Sequence, residues 1–158
     1  MTEQEFQAVY GRQADRVYKI CCFYLGNPVD AQDAVQNIFI RLLEKKTVFR
    51  DEQHEAAWFY TVARNHCRDI LRSGWYKKRA DIKLPEMTQP EESERCDWLE
   101  QALRNLPVKQ KEVLYLYYYE EYSVREISML LNRKESTIQT QLAAGREKLK
   151  RYYGSAGG

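Results

Sequence analysis

Along the first stretch of the chain, Phe6, Val9, Tyr10, Val17, Ile20 and Cys21 return at the spacing of one helical face, with charged and polar residues between them. The pattern predicts a helix from about Glu3 to Leu25, stopped by Gly26. "NPVDAQD" opens a second helix. Asn27 can cap it, Pro28 suits its first position, and Asp30 and Asp33 favour the positive end of its dipole. Ala34, Val35, Ile38, Phe39, Leu42 and Leu43 give this helix a broad apolar face. The period breaks in the Lys46 to Glu55 stretch, which reads as a loop. It resumes in a third helix from about Glu55 to Ser73, on Ala57, Trp58, Val62, Ala63, Cys67, Ile70 and Leu71.

Residues 81–97, "DIKLPEMTQPEESERCD", carry two prolines, six acids and two basic residues, and no apolar period survives. This is the composition of a linker. Beyond it, "DWLEQALRNL" reads as a helix and Pro107 opens another, "PVKQKEVLYLYYYEEY". "SVREISMLLNRKESTIQTQL", Ser123 to Leu142, then reads as two helices about a tight turn, the second continuing to about Tyr152. No segment alternates with the period of a strand. The expected fold is all-α: two small helical domains, 1–80 and 98–153, joined by a flexible acidic linker at 81–97, with 154–158 a disordered tail.

The tight turn carries the first candidate chemistry. Ser123 and Glu126 have the spacing of a capping box. Val124, Ile127, Leu130 and Leu131 face inward, and small Ser128 sits where two helices approach. Asn132 can adopt the left-handed conformation that ends a helix. Ser136 or Glu135 starts the next helix, which Ile138 and Leu142 lock to the first. Arg133, Lys134, Ser136, Thr137, Gln139, Thr140 and Gln141 are left near its exposed N-terminal part, the part of a helix-turn-helix that meets the major groove. Gln can pair with adenine through two hydrogen bonds, and Arg and Lys suit guanine or phosphate. An ordinary pair of packed helices has the same caps and apolar seam, so this stretch alone leaves both readings open.

Charge changes the picture in one place. The whole chain of 158 residues has a formal net charge of only +2, so any nucleic-acid reading rests on where the charges sit. "AWFYTVARNHCRDILRSGWYKKR", Ala57 to Arg79, concentrates Arg64, Arg68, Arg72, Lys77, Lys78 and Arg79 against one acid, Asp69. Arg64, Arg68 and Arg72 fall on one helical stripe, and Trp75 and Tyr76 stand among the basic residues. Basic charge that tracks phosphates, with rings that receive unstacked bases, is what single-stranded nucleic acid requires. Trp58, Phe59 and Tyr60 read instead as core. The second helix has a polar side of Asp30, Gln32, Asp33, Gln36, Asn37 and Arg41, which fits a plain solvated face as well as a basic protein partner.

Other functions find little support. The N-terminal residues have no apolar signal core and no run reaches membrane-spanning length, which predicts a cytoplasmic protein without direct membrane insertion. Cys21, Cys22, Cys67 and Cys96 form no CxxC pair, so buried free thiols are expected rather than a zinc site using His54 or His66. There is no phosphate loop and no nucleophile–base spacing. Neither an enzyme nor a cofactor is expected.

Four segments in order, "DAQDAVQNIFIRL" (30–42), "AWFYTVARNHCRDILR" (57–72), "LRNLPVKQKEVLYLYYYEEYSVREISMLLN" (103–132) and "STIQTQLAAGREKLK" (136–150), resemble the extracytoplasmic-function (ECF) group of bacterial RNA polymerase sigma factors. The resemblance runs from about Glu5 to Arg151. It implies a division of labour. Asp30, Asp33, Gln36, Asn37 and Arg41 would dock on the clamp helices of the polymerase largest subunit. Arg64, Asn65, Arg68, Arg72, Trp75, Lys77, Lys78 and Arg79, with the Lys46 to Glu55 loop, would open and hold the minus-ten element as single strand. Arg133, Lys134, Ser136, Thr137, Gln139, Thr140, Gln141 and Arg146 would read the minus-thirty-five element as duplex. The expected partners are RNA polymerase core, promoter DNA and an anti-sigma factor. The chain departs from the family pattern where members often carry Glu, at Gln32 and Asn37, and where they often carry basic residues, at Gln139, Gln141 and Ala144. Fewer phosphate contacts imply a weaker grip on duplex and a flatter salt dependence. A lone duplex-binding regulator and a polymerase- or anti-sigma-binding decoy are the rival readings.

Overall fold

The computed structural model describes residues 1–45, 48–73 and 106–156, with side chains as far as Arg151. The linker reading at 81–97, the helix at "DWLEQALRN" and the expected domain boundaries lie outside the described residues. The chain divides into two compact units, Met1–Glu100 and Gln101–Gly158. Every described element is helical, and the fold is all-α as the periodicity implied.

The first unit is built on α1 (Glu3–Leu25), α2 (Pro28–Lys45) and α3 (Glu52–Arg72). Its helix ends are written in short-range chemistry. Thr2 Oγ1 accepts from the Glu5 N–H while the Glu5 carboxylate accepts from the Thr2 N–H, both at 3.1 Å. Gly26 ends α1 at φ 70°, where a side chain would be strained. Asn27 Oδ1 accepts from Val29 and Asp30 N–H, starting α2. Val17, Ile20 and Cys21 of α1 are buried, as are Ala34, Ile38 and Leu42 of α2 and Phe59, Tyr60, Ala63 and Cys67 of α3. Each large side chain so enclosed contributes roughly 1.5–3 kcal/mol. The Tyr24 and Tyr60 hydroxyls satisfy one another at 2.8 Å within this unit.

Four expectations need correction here. Helix α3 starts at Glu52, three residues before the expected Glu55, because Asp51 Oδ1 accepts from the His54 N–H at 2.7 Å and caps the earlier turn. Leu43, expected in the core, is 52% exposed. Trp58 is only half-buried, although Phe59 and Tyr60 are core. Cys21 and Cys67 are buried free thiols, but Cys22 is disulfide-bonded. Adjacent helical positions diverge by about 100°, so Cys21 and Cys22 meet different neighbours. A hydrogen bond between Cys21 and Cys67, together with burial, pushes the Cys21 thiol well above its ordinary value.

The second unit contains α4 (Val108–Leu114), a π-helical segment (Tyr115–Tyr119), α5 (Val124–Leu131) and α6 (Glu135–Ala156). The expected single helix after Pro107 therefore changes hydrogen-bond pattern at Tyr115. Glu120 N–H reaches back five residues to the Tyr115 carbonyl, and Tyr122 N–H reaches six to that of Leu116. The widened turn lets Tyr115 and Tyr119 stack, with ring centroids 5.1 Å apart. Helix α6 runs on through residues 154–156, which the sequence assigned to a tail; extending a formed helix adds one bond per residue without a new nucleus. Gly145 on α6 is buried, and a Cβ there would stand 2.7 Å from Leu114 Cδ1. Glycine is what allows α4 and α6 to approach this closely.

Candidate nucleic-acid interface

Helix α3 presents its basic stripe at its C-terminal half. Arg72 is exposed in the last turn, where its charge suits the negative end of the helix dipole, and Arg64 and Arg68 are half-buried. Asn65 and Asp69 are exposed beside them. At the other end of α3, Phe49 packs against His54, Trp58 and Phe59, with ring centroids 5.5, 5.6 and 6.0 Å away. His54 Nδ1 accepts from the Arg50 N–H at 3.0 Å, which ties the end of the loop to the first turn of the helix. Val48, at the open end of this loop, is almost wholly exposed.

On α2, Gln32, Asp33, Gln36 and Asn37 face solvent and Asp30 is half-buried. Val29, Ile40 and Leu43 are exposed on the same helix, so this face is more apolar than its polar residues alone suggested. The signal was present: Val29, Asp33, Gln36 and Ile40 fall at helical spacing, on one side. Arg41 turns toward α3 and donates to His66 Nδ1 at 3.2 Å. Burial and the Arg41 charge lower the His66 pKa against the opposing pull of Asp69. Arg41 thus joins α2 to α3 as well as bordering the outer face.

The α5–α6 pair has the geometry of a helix-turn-helix. Ser123 and Glu126 complete the capping box at 3.1 and 3.0 Å. Asn132 ends α5 at φ 55° and ψ 51°, the left-handed region. Ser128 Oγ donates to the Arg133 carbonyl, drawing the turn closed. Ile127, Leu131, Ile138 and Leu142 form the buried seam, while Val124 and Leu130 are only half-buried. Glu135, Ser136, Thr137, Gln139 and Thr140 are exposed on the first turns of α6, and Lys134 is exposed just before it.

Residues 9–76 match the family described as Sigma-70 region 2, and residues 96–149 match Sigma-70, region 4. The chain is 28% identical over 158 residues to the ECF RNA polymerase sigma factor SigW of Bacillus subtilis, covering 87% of this chain and 82% of that one. It is 28% identical over 144 residues to the ECF RNA polymerase sigma factor SigL of Mycobacterium tuberculosis, covering 86% and 81%. Its fold is similar to that of the sigma factor RpoE, solved in complex with the anti-sigma factor NepR from Bartonella quintana, with a TM-score of 0.65 at 16% identity and 94% of each chain covered. The chain belongs to the ECF sigma factors of bacterial RNA polymerase. As a sigma factor it serves promoter-specific transcription initiation, and it is a DNA-binding regulator rather than an enzyme.

The sigma factor's expected contact residues are placed differently from one another. Asp33, Gln36, Asn37, Arg72, Lys134, Ser136, Thr137, Gln139 and Thr140 are exposed as anticipated, and Arg64 and Arg68 partly so. Trp75, Lys77, Lys78 and Arg79 lie outside the described residues. Arg133 and Gln141 are drawn inward, contrary to the placement expected from the sequence. The Arg133 guanidinium donates to Glu112 Oε2 at 2.7 Å, to Gln141 Oε1 at 2.9 Å and to the Lys109 carbonyl at 3.4 Å. The cause is the Glu112 carboxylate, 1% exposed, which needs a cation. Arg146 stays at the surface but is engaged, donating to the Tyr118 hydroxyl at 2.6 Å with its guanidinium 5.4 Å from the Tyr117 and Tyr118 ring centres. Among the described residues no group of His, Cys, Asp and Glu could hold a metal, and no helix is long and apolar enough to cross a membrane.

Proposed function

We propose that this sigma factor brings RNA polymerase core to two-part promoters, reading the minus-thirty-five element as duplex and capturing the minus-ten element as single strand. The observation that carries the reading is the polar, exposed first turns of α6 beside the closed Asn132 turn, the part of a helix-turn-helix that fits a major groove. Gln139 is the chief base reader, since an exposed side-chain amide can pair with adenine. Helix α3, with Arg64, Asn65, Arg68 and Arg72 and with the Phe49–Trp58 ring cluster at its start, holds the opened strand. Strand opening needs no nucleotide hydrolysis: capture of flipped bases offsets an unstacking cost of a few kcal/mol.

The outer face of α2 docks on the clamp helices of the polymerase largest subunit, with Ile40 and Leu43 adding apolar contact to Asp30, Asp33, Gln36, Asn37 and Arg41. The protein works in the cytoplasm, where core polymerase is. An anti-sigma factor that covers this face would silence it, an expectation supported by the partner named with RpoE.

Neither DNA contact is strong alone. The residues from Cys96 to Tyr153 include ten basic and eight acidic side chains, too even a balance for tight duplex binding. A coil of the 17 linker residues would span about 22 Å, and about 55 Å only when fully extended. The two elements lie about 50 Å apart, one and a half duplex turns. Polymerase is therefore needed to hold both contacts at promoter spacing, where they act as one bivalent grip. Binding of the purified chain to promoter duplexes of varied spacing, with and without core polymerase, tests this. Tight, spacing-dependent binding by the chain alone would refute it.

A further inference from the structure

Arg133 stands in the turn between α5 and α6, where sequence alone puts its charge on DNA. In the fold its side chain is 14% exposed and its guanidinium bridges two elements of the same unit. One nitrogen holds Glu112 of α4; another holds the Gln141 amide oxygen of α6 and approaches the Lys109 carbonyl. The bridge has two chemical consequences. A guanidinium bound to an internal carboxylate is not available to displace counterions from DNA. A side-chain amide needs both its oxygen and its nitrogen for the paired contact with adenine, and the Gln141 oxygen is already engaged. Gln139, two residues earlier, is exposed.

We infer that Arg133 is a positioning residue: it clamps α4 to α6 through Glu112 and Gln141, withdraws positions 133 and 141 from the DNA surface, and leaves duplex reading to Gln139 and its exposed neighbours. The inference rests on the reading of α6 as the duplex-reading helix. It makes the unit's grip on DNA less electrostatic than its sequence suggests, because one of the turn's two cations, Arg133, is bound internally while Lys134 stays exposed.

The test uses the full chain with core polymerase and a promoter fragment, measuring affinity across a range of salt for the original chain, Arg133→Ala, Gln141→Ala and Gln139→Ala. Arg133→Ala is expected to weaken binding to all upstream sequences by at least about tenfold, because losing the guanidinium that bridges Glu112 and Gln141 loosens the α4–α6 packing. The slope of log affinity against log salt stays at its original value. Gln141→Ala, which abandons no charge and keeps the fold, leaves the upstream sequence preference unchanged, whereas Gln139→Ala relaxes it at one position. A slope that falls by about 0.9 in Arg133→Ala identifies a lost phosphate contact and overturns the inference. So does a preference relaxed by Gln141→Ala. If the original chain with core polymerase shows no upstream preference, the function reading fails and takes this inference with it, an outcome distinct from the other two.

Discussion

Among the described residues, each of the two units buries one glutamate and answers it with arginine, but the arginines come from different places. In the first unit Glu55 accepts from Arg12 at 3.1 and 2.9 Å and from Gln13 at 3.0 Å. Arg12 lies on α1, so Glu55 takes this cation from outside the basic stripe of α3. In the second unit Glu112 is met by Arg133, taken from the turn that leads into α6. The same local need, a buried carboxylate requiring a cation, is met in the first unit from α1 and in the second from the α5–α6 turn. A count of Lys and Arg along the sequence therefore overstates the charge that the second unit presents at its α5–α6 turn.

The contrast can be broken by substitution. The largest expected effect is at Arg133. Its removal leaves Glu112 enclosed without its guanidinium and should destabilise the second unit by roughly 3 kcal/mol, measured by chemical denaturation. Arg12→Ala should do less to the first unit, because Arg12 is half-exposed and Gln13 still donates to Glu55. Equal losses would erase the distinction drawn here. Next is Gln139→Ala, expected to reduce promoter affinity by about 1–3 kcal/mol and to relax preference at one upstream position. A uniform loss on all upstream sequences would remove Gln139 as a reader. Arg68→Ala and Arg72→Ala should slow strand opening, followed by a fluorescent base in the minus-ten element, more than they weaken polymerase docking. Normal opening in both would move strand capture to the Phe49–Trp58 end of α3.

The smallest effect concerns pH. Burial alone would raise the Glu55 carboxyl, but hydrogen bonds from Arg12 and Gln13 and the Arg12 and Arg16 charges outweigh it, and the net shift is downward. A carboxyl lowered on folding adds stability above its unfolded pKa of about 4.3, lost as pH falls through the lower folded value. Thermal unfolding of the chain should therefore show an acid-side decline that Glu55→Gln flattens. An unchanged decline would place the acid sensitivity elsewhere.

Much of this was legible in the sequence, and the reasons are local. The Ser123–Glu126 cap, the Asn132 turn and the Ile127–Leu131–Ile138–Leu142 seam are encoded within a few residues of one another. The ends of α1 and the start of α2 were readable for the same reason. What escaped depends on distant partners or on small shifts in backbone hydrogen bonding. Arg133 is turned by a carboxylate 21 residues earlier, which no local pattern predicts. The π-helical turn at Tyr115–Tyr119 leaves the apolar spacing nearly helical. Leu43 matches the apolar class of the α2 core, yet only the packing of α1 and α3 decides which side of α2 is covered. The start of α3 was missed because Asp51 was read as part of a loop rather than as a cap.

The central claim is that this chain gives core polymerase a two-part promoter specificity. Run-off transcription with core polymerase, the purified chain and a pooled library of upstream sequences tests it most directly. Transcripts starting downstream of a single enriched pair of elements, at fixed spacing, are the predicted result. Transcription that does not depend on the chain, or that depends on it with no sequence enriched, would contradict the account and favour a protein that binds polymerase without reading DNA.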